Sequence, residues 1–132
     1  MKGYLLDTDI VIFLLRNQKG VASHLAKIAP NNVFISEVTV AELEYGNYCS
    51  GRYEANKEIL QLFLSSINIL PFSKSIALYA KERYRLRKLG QSIEDFDLLI
   101  GCTAVAENLV MITNNVKHYS RIDGIQIENW IE

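Results

Sequence analysis

The amino-acid sequence predicts an α/β fold of three layers, with helices on both faces of a mostly parallel sheet of about five strands. Two features predict it. Short apolar runs alternate with longer, helically spaced segments along the whole chain, and that alternation is the pattern of strand–helix–strand units in a parallel sheet. One segment, residues 95–108, has helical length yet is nearly all apolar or small, as a helix deep in a layered core must be. The chain of 132 residues is 49% apolar and 22% charged. That is one domain's worth, 1–132, with an ordinary hydrophobic core.

The elements follow in order. Residues 4–6 form a buried strand that ends at Asp7, and 10–15 form a short buried helix. Residues 21–29 read as a second short helix stopped by Pro30 and two asparagines. The next strand is 33–35. Ser36 stands at the N-cap of a helix over 38–48, which Ser50-Gly51 breaks. Residues 53–67 form a long helix whose apolar members cover roughly 200° of the wheel, about twice what one core face needs. The extra width points either to a homodimer interface, with Tyr45, Tyr48 and Tyr53 beside it and Phe63 or Leu64 facing out, or to burial between two layers of the same domain. Residues 69–70 are a third strand, and 73–89 a helix ended by Gly90. Ser92 followed by Asp95 resembles a capping box for the apolar helix 95–108, in which Gly101 and Ala104 permit close approach to the sheet. Strands at 109–112 and 125–127 complete the sheet.

Composition excludes several classes. A net charge of −1 and a pI of about 6.1 exclude a basic nucleic-acid coat, though not a local basic patch. Cys49 and Cys102 have no metal spacing and read as reduced thiols. No apolar run suits a signal peptide or a membrane span, so the expected location is the cytoplasm. No Ser/His/Asp or Cys/His arrangement and no phosphate-cradling glycine loop is present. His24 and His118 lie far apart and default to surface roles.

The acids are more informative. Asp7 ends the first strand, with Asp9 two residues on; Glu42 lies on the helix after the second strand; Asp97 lies in the first turn of the apolar helix; Asn114 and Asn115 follow the fourth strand. In a parallel sheet all of these fall at the carboxyl edge of the strands, where sites form. One acid in a helix's first turn needs only the helix dipole to explain it. Acids delivered to one edge by several elements repel one another and need cations. Oxygen ligands without His or Cys select Mg²⁺ or Mn²⁺, and such ions position water and stabilise the leaving oxygen in phosphodiester hydrolysis.

The runs Tyr4-Leu5-Leu6-Asp7-Thr8-Asp9-Ile10, Ile35-Ser36-Glu37-Val38-Thr39-Val40-Ala41-Glu42-Leu43, Asp97-Leu98-Leu99-Ile100-Gly101 and Ile112-Thr113-Asn114-Asn115 resemble, in order, the four acidic motifs of PIN-domain ribonucleases, and among them the VapC-type toxins of toxin–antitoxin pairs. The resemblance covers essentially the whole chain. It implies an Mg²⁺-dependent (or Mn²⁺-dependent) endoribonuclease that leaves 5′-phosphate and 3′-hydroxyl ends. Its metal would be held by Asp7, Glu42 and Asp97, with Asn115 in a fourth position that is often Asp. Thr8, Ser36 and Thr113 match supporting hydroxyl positions. Asp9 departs from the Asn common there; it either adds an acid or caps the following helix. The implied partners are an RNA substrate and a VapB-type antitoxin laying a C-terminal peptide in the acidic groove.

Two rivals share some of these residues. A PIN-type nuclease of RNA processing or turnover would need no antitoxin. A haloacid-dehalogenase-like phosphatase would use Asp7 as nucleophile, but it leaves Glu42 idle and finds no acid after the fourth strand. A binding module with the acids as a solvated rim is the bland reading. Lys81, Arg83, Arg85, Arg87 and Lys88, against the single acid Glu82, read either as a solvated helix face or as an RNA-contacting ridge flanking the acidic edge. Lys81, Arg85 and Lys88 share one face, Arg83 and Arg87 another.

Overall fold

The computed structural model describes residues 2–131. Five short strands, β1 (Tyr4–Leu6), β2 (Val33–Ser36), β3 (Asn68–Leu70), β4 (Val110–Ile112) and β5 (Gln126–Glu128), form one sheet in the order β3-β2-β1-β4-β5. Every pairing is parallel, with Leu5 opposite Phe34 on one side and Met111 on the other. The helices are α1 (Thr8–Leu15), α2 (Val21–Leu25), α3 (Glu37–Cys49), α4 (Tyr53–Leu64), α5 (Ile76–Lys88), α6 (Asp95–Ala106) and α7 (Val116–Tyr119). The sheet separates two apolar cores. One gathers Leu5, Met111, Leu86 and the α6 residues Leu98, Ile100 and Cys102; the other gathers Leu6, Ile112, Ile10, Leu43 and Leu60. Alternate residues of each strand point to opposite cores, which is why the central strands read as continuous apolar runs.

The expected architecture is therefore present, and the strands at the centre fall where the apolar runs placed them. The local differences have physical reasons. The 21–29 helix closes after Leu25, since Pro30 opens a separate 3₁₀ turn. The 53–67 helix ends at Leu64, where Ser65 and Ser66 turn their hydroxyls back on the Leu62 and Phe63 carbonyls. The helix of 73–89 begins as a 3₁₀ turn and becomes α-helical only at Ile76. It stops at Gly90, whose φ of +69° suits a residue without Cβ. The cap of α6 is Glu94, whose carboxylate accepts from the Asp97 amide at 3.3 Å, so Ser92 is not the cap. Helix α7, four residues long, had no sequence expectation at all.

Two packing expectations are corrected. Gly101 is small for the sake of α7, not of the sheet: a Cβ there would collide with Ile122 Cδ1 and press on the Tyr119 ring at 3.1–3.2 Å. On α4, Phe63 and Leu64 are half-buried against the second core, while Ile59 and Leu62 face outward at 51% and 75% exposure. The wheel gave the arc its width but not its rotation.

Candidate active site

Strand order reverses direction at β1, so the carboxyl ends of β1, β2 and β4 open onto one crevice. Asp7 leaves β1 and caps α1. It is buried, and three hydroxyl or amide donors hold it: Thr8 N at 2.8 Å and Tyr119 Oη at 3.0 Å on Oδ1, and Thr113 Oγ1 at 2.8 Å on Oδ2. Glu42, half-buried on α3, accepts the Thr8 hydroxyl at 2.6 Å, and Thr39 Oγ1 lies 3.0 Å behind that hydroxyl. Asp97, half-buried in the first turn of α6, takes its place through the Glu94 cap and accepts from Tyr119. Three acids far apart in sequence are thus tied together by Thr8, Thr113 and Tyr119.

Electrostatics say the same. Burial pushes Asp7 above the usual carboxylate range, although its Thr113, Thr8 and Tyr119 hydrogen bonds oppose the shift. Glu42 is raised by burial and by Asp7, Glu94 and Asp9. Asp97 is pushed up to about 6, first by burial and then by Asp7, Glu94 and Glu42. Among the described residues no Lys or Arg forms an ion pair with any of these acids. Tyr119, buried and surrounded by carboxylates, is held well above its ordinary value and stays a donor.

The supporting residues divide. Ser36 spends its hydroxyl on the α3 cap, accepting from Val38 N at 3.0 Å. Thr113 also accepts from the Asn115 amide at 2.9 Å, which joins Asn115 to the Asp7 site through one residue. The Asn115 side chain turns to His118, with Oδ1 and Nδ1 2.7 Å apart. Asp9 is exposed in the first turn of α1. It is not the cap, because Asp7 fills that position. Of the expected basic residues, Arg85 is committed elsewhere: it grips buried Glu82 with two hydrogen bonds of 2.8 Å and donates to the Arg121 carbonyl. Arg83 pairs with Asp95 at 3.3 Å, whereas Lys81, Arg87 and Lys88 are exposed and form no ion pair among the described residues. His118 is exposed, as expected, whereas His24 is half-buried and stacks on Trp130 with ring centroids 5.5 Å apart. Tyr119 escaped sequence reasoning altogether; the signal that could have found it was Gly101, a glycine inside an otherwise unbroken apolar helix.

Among the described residues no three acidic, imidazole or thiol side chains stand close enough together to hold a metal ion as they are placed, each acid being turned to a protein donor. The donor set nevertheless suits a hard divalent cation: it is all oxygen, it is partly desolvated, and its charges are mutually unfavourable and unneutralised.

The PIN domain family model matches residues 4–125. A ribonuclease VapC2 of Rickettsia felis is 38% identical over 96% of this chain and 97% of its own. A tRNA(fMet)-specific endonuclease VapC of Shigella flexneri is 30% identical over 98% and 99%. Among solved structures, the R. felis VapBC2 complex bound to a promoter DNA fragment matches with a TM-score of 0.89 at 36% identity, covering 96% of this chain and 98% of that one. The chain belongs to the PIN domain family, within its VapC group of ribonucleases. No helix among the described residues is long and apolar enough to cross a membrane.

Proposed function

We propose that this chain is a metal-dependent endoribonuclease acting in the cytoplasm as the toxin of a toxin–antitoxin pair. The observation that carries the reading is the uncompensated acid cluster: Asp7, Glu42 and Asp97 meet at the strand ends, each raised by burial and by its neighbours. Asp7, Glu42 and Asp97 would hold a divalent cation, Mg²⁺ or Mn²⁺, which would supply charge to activate a water for in-line attack and to stabilise the departing ribose oxygen. The protein's own part is orientation. Thr113 and Tyr119 fix Asp7, Thr8 fixes Glu42, and the Glu94 cap fixes Asp97. Without a cation Asp97 keeps its proton up to about pH 6, so a cation binding there would compete with that proton. Asn115 lies one residue behind Asp7 as an uncharged fourth member.

The Asp97→Asn substitution keeps the shape and removes one charge, so cleavage of RNA should fall by orders of magnitude while the circular dichroism stays native. Asp7→Asn and Glu42→Gln should behave alike, as should treatment with EDTA, which Mg²⁺ reverses. Undiminished cleavage by Asp97→Asn in EDTA would overturn the mechanism.

The similar solved structures from R. felis and Salmonella typhimurium are VapBC complexes, which favours an antitoxin over a free-standing processing nuclease. A groove between α1, α3 and α4 suits an antitoxin segment: Ile12, Leu15, Leu43 and Ile59 supply its apolar wall, and Glu42 lies at its lining to meet a basic side chain. Two copies would pair through the exposed Tyr45, Tyr48 and Leu62. In a two-fold interface one substitution acts twice, so Leu62→Glu should convert the dimer to a monomer in light scattering, whereas a wild-type chain that is already a monomer removes the pairing from the reading.

A further inference from the structure

The cations left over on α5 do not stand alone. They interleave with aromatic rings. The Arg83 guanidinium lies 6.0 Å from the Tyr79 ring centroid, and Arg87 and Lys88 lie 5.8 and 5.4 Å from that of Tyr84. Tyr84 is 57% exposed. Tyr79, Ala80 and Tyr84 line a shallow cleft together with Arg83 and Arg87. On the other side of the same two arginines a second cleft is lined by Ser92, Ile93 and Asp95. Arg83 and Arg87 therefore form a basic ridge between two hollows. The ridge is joined to the acidic site, because Arg83 and the Tyr79 hydroxyl both bind Asp95, at 3.3 and 3.1 Å, and Asp95 is two residues from Asp97.

We propose that this face of α5 is a platform for unpaired RNA, with a base seated in the cleft between Tyr79 and Tyr84, phosphates on Arg83, Arg87 and Lys88, and the strand running past Asp95 to the scissile position at Asp97. The inference rests on the ribonuclease reading and adds to it a binding surface outside the acid cluster. The chemistry of the face selects an unpaired strand. An acidic peptide would satisfy the cations and leave the tyrosine cleft unused, whereas an unpaired nucleotide uses both, since it offers a flat π-face and a charged phosphate at fixed separation. A duplex keeps its bases stacked inside and cannot fill the cleft.

Binding should be measured by fluorescence anisotropy on the full chain carrying Asp97→Asn, so that the probe survives. The probes are a short labelled oligouridylate, the same oligomer with abasic riboses, and an RNA duplex. Tyr84→Ala and Ala80→Leu, the second filling the cleft without disturbing a helix, should each weaken oligouridylate binding roughly five- to a hundredfold. They should leave its salt dependence and all abasic binding unchanged, and Tyr84→Phe should bind as the parent does. Arg87→Glu with Lys88→Glu should instead flatten the salt dependence by about 0.7 per lost phosphate contact. Parental affinity in both cleft variants, equal losses on the abasic probe, or a change of mass in light scattering, which would make this face a protein interface, each overturn the platform. Failure of the ribonuclease reading shows separately, as a chain with intact Asp97 that cuts no RNA in Mg²⁺ yet still distinguishes oligouridylate from its abasic form.

Discussion

Glu82 on α5 and Asp97 on α6 sit on adjacent, packed helices, and the fold treats their charges in opposite ways. Glu82 is buried, and Arg85 hydrogen-bonds it twice at 2.8 Å while the Asp123 amide donates to it at 2.9 Å. Arg85, then the Asp123 amide, hold its carboxyl below the usual range despite burial. Asp97 accepts from the Tyr119 hydroxyl, has Asp7, Glu94 and Glu42 for neighbours, and is pushed up, first by burial, to about 6. The difference separates cohesion from function. Where a buried acid joins elements, here α5 to the segment after α7, the chain supplies its own cation. Where acids gather at the strand ends, no cation comes from the described residues, and the unfavourable charge is left for something from solution to neutralise.

Removing Glu82 should break the comparison from its satisfied side and give the largest loss of stability. Glu82→Ala leaves the Arg85 guanidinium with only the exposed Asp123 carboxylate and the Arg121 carbonyl for partners, and the Asp123 amide without its acceptor. The expected cost is about 2–3 kcal/mol, below the full value for a buried pair because the Arg85 side chain is 30% exposed. Urea denaturation reads it. The loss should shrink as pH falls through the carboxylate range, since a depressed acid contributes its stability only when ionised.

Asp97→Asn should act with the opposite sign. A carboxyl whose folded value is raised binds its proton more tightly when native, so its ionisation lowers stability as pH rises from about 4 to about 6. In EDTA the Asn variant should therefore melt a few degrees above the wild type at pH 7 and level with it below pH 4. Mg²⁺ should raise the melting temperature of the wild type and not of the variant. A variant that melts lower than the wild type at pH 7 would mean that the acid cluster is not strained.

The sequence carried the acids further than it carried their supports. Asp7, Glu42 and Asp97 were legible because strand ends and helix starts are read from apolar runs and caps, and those positions decide which edge a residue reaches. Ser36 as the α3 cap was legible for the same reason. What failed was anything set by rotation or by distant contact. The face of α4 that looks outward depends on how the helix rolls against the sheet, so Ile59 and Leu62 could not be told from Phe63 and Leu64. Arg85 looked equivalent to Lys81 and Lys88 because its partner Asp123 is distant in the chain and the burial of Glu82 is a tertiary fact. Tyr119 lies on a four-residue helix too short to show a period, yet it touches two of the three acids.

That tyrosine offers the finest probe of the contrast, because it lies where the two regimes meet. Its ring packs against Gly101 and its hydroxyl donates to Asp7 at 3.0 Å. Tyr119→Phe keeps the ring, so the close approach of α7 to α6 survives and stability should change by no more than about 1 kcal/mol, the net worth of one hydrogen bond. The acids lose a donor that favours their ionised forms, so Asp7 and Asp97 should both rise further. The expected effect is a cleavage rate a few-fold lower at pH 7, an acid limb of the pH–rate profile moved upward, and near-recovery at pH 8. That pattern separates a hydroxyl that tunes the acids from one that merely packs, for which the rate would fall equally at every pH or not at all. An unshifted acid limb would mean that Thr113 and Thr8 hold Asp7 without help.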